Sequence, residues 1–334
     1  MKRNMKLFNL LMVFAMLSIF TACEKPNVIQ DEGNLVPKTV EHNPSLPSIS
    51  VNGTQLHAEA FGQNLNPMIV ILHGGPGYDY SSLLKCKAFV DQGYRVIFYD
   101  QRGSGLSKRH PKNSYSIQLM FDDLSAVITH YRTSPNQKIF LLGHSWGAML
   151  ATAYINKYPT LINGAILAEP GGFVWQDVLD YVGRSRELKL TKELTNDLLY
   201  QDQFITGKDS EHAILDYKYA LFSIADGSKD NPTGNEGKLP LWRAGAIVNR
   251  ALFDIGEKET PDWTTNLSQY KTKVLFVYSE NNKAYGLQHA QKVSKAYPNV
   301  QLLKVNSAGH DMLTFQTGWN NFYPVALTYL NSLK

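Results

Sequence analysis

"KIFLLGHSWGAMLATAYINKYP", residues 138–159, decides the fold. "KIFLL" is an apolar run of strand length, and "AMLATAYINKYP" has helical apolar spacing closed by a proline. Between them stands "GHSWG", which fits G-x-S-x-G. A strand that turns sharply into a helix forces the middle residue into a strained conformation and needs small neighbours; Gly143 and Gly147 supply them. Such a turn lifts the Ser145 hydroxyl above the sheet, at the positive end of a helix starting near Trp146.

Working outward, the same rhythm recurs. Apolar runs "MIVILHG", "YRVIFYD" and "NGAILAE" alternate with the helically spaced "YSSLLKCKAFVDQG" and "SIQLMFDDLSAVITHYR". Runs this apolar suit strands buried on both faces of a parallel sheet, and the alternation predicts an α/β fold with right-handed crossovers. "SISVNGTQLHAEAFG", two alternating runs about Asn52-Gly53, predicts a hairpin ahead of it. The rhythm stops at Pro170 and returns at "KVLFVYS", "GLQHAQKVSKAYP", "VQLLKVN" and a final helix. Residues 47–169 and 266–334 therefore read as one core, and residues 170–265, helical and aromatic, as an inserted cap.

Composition excludes some classes. Hydrophobic residues at 43% and charged residues at 19% describe a globular chain, and a net charge of +4 without a basic run gives nucleic-acid binding no support. Met1 to Lys6 is basic, Leu7 to Phe20 apolar, and Thr21-Ala22 small before Cys23, the layout of a signal peptide over residues 1–22. "FTAC" resembles the bacterial lipobox, with Phe20 where leucine is common, so Cys23 is the expected lipid anchor and 23–46 a tether. The alternative is an ordinary signal peptide with an incidental cysteine. Cys86 then reads as a small buried side chain.

Other residues extend the site. "HGGPG", 73–77, follows the strand "MIVIL", and the Gly75 N–H can join that of Trp146 as an oxyanion hole, with His73 and Gly74 as the supporting turn. "SAGHDM", 307–312, follows the last strand, where a loop can lower His310 towards Ser145 as general base. His57, His130, His212 and His289 fit solvated or capping roles. Arg102, in "DQRGSG", reads as an anchor for Asp100 and nearby loops. No His/Cys/Asp cluster has metal-ligand spacing, so neither metal nor cofactor is implied.

HGGPG, DQRGSG and GHSWG in this order, with a late Gly-His, resemble the α/β-hydrolase superfamily and, more narrowly, the proline iminopeptidase group of serine peptidases. The resemblance covers about 47–170 and 265–334, and maps the family's serine and histidine onto Ser145 and His310. It also implies an acid in the loop after "KVLFVYS", where this chain has Ser279-Glu280-Asn281-Asn282 and an amide, Asn282, at the expected position. An Asp-to-Asn exchange in a serine triad costs about 10⁴ in turnover. Glu169, at the end of the strand "NGAILAE", is the first choice for a relocated acid, as in certain haloalkane dehalogenases; Glu280 is the second, and absence of a competent acid the third.

The resemblance implies an aminopeptidase acting on short peptides. Glu169, Glu280, Asp177, Asp180 and Glu211 are then candidates to bind the substrate amine. A carboxylesterase or lactonase acting on a small molecule is the alternative, its cap lined by Phe173, Trp175, Tyr181, Phe222 and Trp242, although each of these also reads as cap core. A degenerate hydrolase that only binds ligand is the third reading. The leader and Cys23 imply export and membrane anchoring.

Overall fold

The computed structural model describes residues 33–185, 210–224 and 231–334, with the side chains of 222–224 excepted. The expected leader, Cys23 and the first part of the tether lie outside the described residues, as does the side chain of Phe222. β1 (Ser48–Val51) and β2 (Thr54–Phe61) form the hairpin, with Val51 paired to Thr54 across Asn52 and Gly53, both at positive φ. β3 (Met68–Leu72), β4 (Arg95–Tyr99), β5 (Ile139–His144), β6 (Gly164–Ala168), β7 (Val274–Ser279) and β8 (Val300–Val305) follow. Together they make one sheet of eight strands in the order β1-β2-β4-β3-β5-β6-β7-β8. β1 pairs antiparallel with β2 and β2 with β4, and the pairs from β4 through β3 and β5 to β8 are parallel.

The helices are α1 (Ile117–Tyr131), α2 (Trp146–Lys157), α3 (Trp175–Ser185), α4 (Glu211–Ile224), α5 (Ala246–Glu259), α6 (Gly286–Ser294) and α7 (Gln316–Leu333), with a 3₁₀ segment at Tyr80–Gln92. Every residue of β3 to β7 is buried, as their unbroken apolar runs require. Strand period divides them between two cores. Val70, Leu141 and Leu167 pack with Leu124 and Leu150 of α1 and α2 on one face, while Ile69, Ile71, Leu142 and Ile166 pack with Phe322 and Leu330 of α7 on the other. Cys86 is buried in the second core, and burial pushes its thiol up from the usual range.

The described end of the expected tether packs on the core. Thr39 and Val40 are buried, the Val40 N–H donates to Leu106 O at 2.8 Å, and Arg243 donates to Pro37 O at 2.8 Å. Arg102 also differs from expectation. It makes a two-pronged pair with Asp123, Nε to Oδ2 at 2.8 Å and Nη2 to Oδ1 at 2.7 Å, and not with Asp100. Asp100 instead accepts from His57 Nδ1 at 2.8 Å and Leu106 N at 2.8 Å. His57 is thereby buried rather than solvated, because β2 is covered as well as paired.

The strand-to-helix turn fixes the position of Ser145. Its φ is 54°, in the left-handed region, and its N–H donates to Ala168 O of the neighbouring strand at 2.8 Å. A side chain at Gly147 would meet Leu72 O at 2.0 Å, so α2 can start against β3 only with glycine there. Gly147→Ala should therefore destabilise the chain at or above the upper end of the ~1–3 kcal/mol typical of overpacking. Gly183→Ala, in an exposed turn of α3 with nothing within 4 Å, should stabilise by about 0.5–1 kcal/mol. Thermal unfolding of both variants checks the opposite signs.

Candidate active site

β5, β6 and β8 end side by side with β7, and each is followed by a site residue. Ser145 follows β5, Glu169 follows β6, and His310 lies in the loop between β8 and α7. A parallel sheet gathers such residues at its carboxyl edge. Ser145 and His310 line one cavity of about 330 Å³.

Glu169 is fully buried at φ 43°. Its Oε2 accepts from His310 Nδ1 at 2.7 Å and from Asn282 Nδ2 at 2.7 Å. Its Oε1 accepts from Ser279 N at 2.7 Å and Ser279 Oγ at 2.6 Å. Glu280 faces elsewhere: it is exposed, paired with Lys304 at 2.9 Å and with Ser307 N at 2.9 Å, and held below the usual carboxyl range by those partners. Asn282, at the position where the family resemblance implies an acid, is thus a donor to Glu169.

Burial opposes charging His310, but the Glu169 hydrogen bond and charge, with Asp311 adding, outweigh it and raise its pKa above the ordinary imidazole value. The Ser145 hydroxyl makes no hydrogen bond to His310 among the described residues. His144 sits beneath: its Nε2–H donates to His310 O at 2.8 Å, and burial plus the neighbouring His310 push its pKa down to about 3. It is a neutral strut for the His310 loop.

The glycine turn lies directly against the serine, since a side chain at Gly74 would come within 3.2 Å of Ser145 Cβ. A chain of buried hydrogen bonds braces it. His73 Nε2 accepts from Gln101 N at 2.9 Å, which leaves Nδ1–H to donate to Gly74 O at 2.9 Å. Gln101 then donates to His73 O at 3.0 Å and accepts from Trp146 Nε1 at 2.9 Å. His73 is fully buried, and burial lowers its pKa, so it braces as a neutral ring. The cavity is also lined by Gly75 and Trp146, whose backbone N–H groups form no hydrogen bond among the described residues.

The other wall of the cavity comes from α3, α4 and α5 and from the segment 233–239. That segment docks on the histidine loop: His310 N donates to Thr233 O at 2.9 Å and Asp311 N to Asn235 Oδ1 at 3.3 Å. Of the aromatics singled out in the sequence, Trp175 and Tyr181 line the cavity. Phe173 packs on Phe276 and Tyr297, and Trp242 on His57 and Tyr80, both away from it.

None of the five carboxylates singled out for an amine lines this cavity. Glu169 and Glu280 are engaged as above, and Asp177 and Asp180 pair with Lys292 at 2.5 and 3.6 Å. Glu211 lies at the start of α4, outside the lining. Asp311 is the one acidic residue that lines it among the described residues. It is buried, and that burial raises its pKa, while His310 pulls the other way. The only signal for Asp311 in the sequence was its place after His310. His289 is another correction: it is buried, donates from Nε2 to Gly171 O at 2.8 Å, and accepts at Nδ1 from Arg184 at 3.0 Å.

A family profile described as the alpha/beta hydrolase fold matches residues 67–316. An AB hydrolase superfamily protein of Bacillus subtilis is 40% identical over 119 residues, 35% of this chain and 41% of that protein. A proline iminopeptidase of Thermoplasma volcanium is 34% identical over 106 residues, 32% of this chain and 35% of that enzyme. Both aligned stretches thus span less than half of the relative's own length. The crystal structure of a proline iminopeptidase from Mycobacterium smegmatis superposes with a TM-score of 0.58 at 16% identity, covering 86% of this chain and 98% of that one. With its profile match spanning most of the chain and its eight-stranded sheet, the protein belongs to the α/β-hydrolase family and resembles the proline iminopeptidases.

Proposed function

We propose a serine hydrolase that works through an acyl-enzyme, with Ser145 as nucleophile, His310 as general base and then acid, and Glu169 as the acid that orients His310. The observation that carries this reading is the 2.7 Å hydrogen bond from His310 Nδ1 to a fully buried Glu169, opening on the same cavity as Ser145. With Nδ1 committed to Glu169, Nε2 is the nitrogen left to take the Ser145 proton. The N–H groups of Gly75 and Trp146 hold the oxyanion as it forms. Ser145 and His310 share no hydrogen bond among the described residues, so bound substrate completes their alignment, as catalytic hydrogen bonds often tighten only in the complex.

For substrate, an aminopeptidase of proline iminopeptidase type is favoured by the family resemblance and by Asp311, a carboxylate facing an otherwise mostly apolar cavity under the cap at 170–265. The second reading, a carboxylesterase or lactonase, draws on Trp175, Tyr181 and Phe253 in the lining. The purely binding reading rested on Asn282, and its donation to Glu169 removes that support. The leader at 1–22 and a lipidated Cys23 would put this enzyme on a membrane outside the cytoplasm, facing small molecules or short peptides. Cys23→Ser should then move it from the membrane to the soluble fraction; unchanged fractionation excludes the anchor.

Pre-steady-state hydrolysis of a short acyl p-nitrophenyl ester should show a burst. Glu169→Gln should lower kcat by about 10³–10⁴, in line with the loss of a triad acid, and Glu280→Gln should leave it within about twofold. The base must be neutral to act, so kcat/KM should climb with pH through a transition above the ordinary imidazole value. Glu169→Gln removes what raises that pKa and should move the transition down. Asp311→Asn separates the substrate readings. It should raise KM for prolyl-naphthylamide at least about tenfold and barely change ester hydrolysis; equal effects on both leave the esterase reading.

A further inference from the structure

The structure assigns a role to Asn282: it is a positioning residue, whose amide holds the Glu169 carboxylate against His310 and at the same time clasps the cap helix α3 through Tyr181. This rests on the reading of Glu169 as the acid. The observation is that both donors and the carbonyl oxygen of a fully buried amide are engaged at once. One Nδ2 hydrogen goes to Glu169 Oε2 at 2.7 Å and the other to Tyr181 Oη at 3.2 Å, while Oδ1 accepts from Tyr285 N at 3.2 Å.

Only an amide satisfies that set. A carboxylate of the same shape offers Glu169 an acceptor where it needs a donor, and sets a second negative charge against Glu169 Oε2. Moving the acid to β6 therefore inverts the demand at position 282 from acceptor to donor, and asparagine is the donor of unchanged size. Tyr181 brings the cap into the arrangement. Its hydroxyl lies 3.3 Å from His310 Nδ1, and its helix is docked on the loop after Asn282 by Arg184, which donates to Ala284 O at 2.8 Å and His289 Nδ1 at 3.0 Å. Seating α3 and aiming His310 thus share one amide.

Steady-state kinetics with a neutral ester across pH, on Asn282→Ala, Asn282→Asp, Glu169→Gln and the exchange pair Glu169→Gln/Asn282→Asp, tests this. Asn282→Ala should lose about 10–100-fold, the range for a hydrogen bond to a charged group, with the loss in kcat rather than KM. The isosteric Asn282→Asp should shift the rising limb of the pH profile upward, because a second carboxylate beside the Glu169–His310 pair further favours the imidazolium. The exchange pair should recover at least about tenfold over Glu169→Gln, since it restores one carboxylate and one amide in swapped places. An Asn282→Asp enzyme with the wild-type rate and profile, or an exchange pair no better than Glu169→Gln, overturns the role. Wild-type activity in Glu169→Gln alone would instead overturn the acid assignment beneath it.

Discussion

A carboxylate taken out of water needs donors on every side, and Glu169 has them. Four donors from three residues converge on its two oxygens, all within 2.7 Å. Burying such a group without partners is costly enough that the surroundings must be built for it. Much of the active-site architecture follows from this requirement. The Glu169 N–H itself donates to Val277 O at 2.9 Å, and the residue adopts a positive φ. β6 and β7 are thus joined at their ends, and β7 delivers Ser279 and then Asn282 to the carboxylate.

The same group sets the chemistry of His310. Burial alone would keep the imidazole neutral, while the Glu169 contact favours its charged form and prevails. A base of that kind is held in one orientation and made more basic together. The two other buried histidines near the serine have the opposite character. His73 and His144 are both kept neutral by burial; His73 bonds backbone groups of Gly74 and Gln101, and His144 the His310 carbonyl. Three histidines within one site therefore divide into one whose charged form is favoured and two neutral rings that brace the loops around it.

Much of this was legible in the sequence. Unbroken apolar runs mark β3 to β7, Gly143 and Gly147 mark the turn, and the end of an apolar strand picks out Glu169 before Glu280. Position along a strand is local information, and for Glu169 the family resemblance, with an amide at 282, supplied the rest. The misreadings were all questions of long-range pairing. Arg102 meets Asp123 rather than Asp100 because α1 packs beside its loop. His57 reads as an edge residue until Asp100 and Tyr80 are seen to cover it. The cavity wall at 233–239 reads as a polar loop, and Asp311 as the residue after the histidine, until folding sets both beside Ser145. Asn282 looked like a missing acid because composition shows which group is present and only geometry shows what it faces.

Covalent labelling with a fluorophosphonate probe, followed by mass spectrometric mapping of the modified residue, bears most directly on Ser145 as an activated nucleophile. Rapid modification of Ser145, abolished in Ser145→Ala and slowed steeply in a folded Glu169→Gln, is the expected result. A well-folded wild type that stays unlabelled, or labels equally fast without the Glu169 carboxylate, would contradict it.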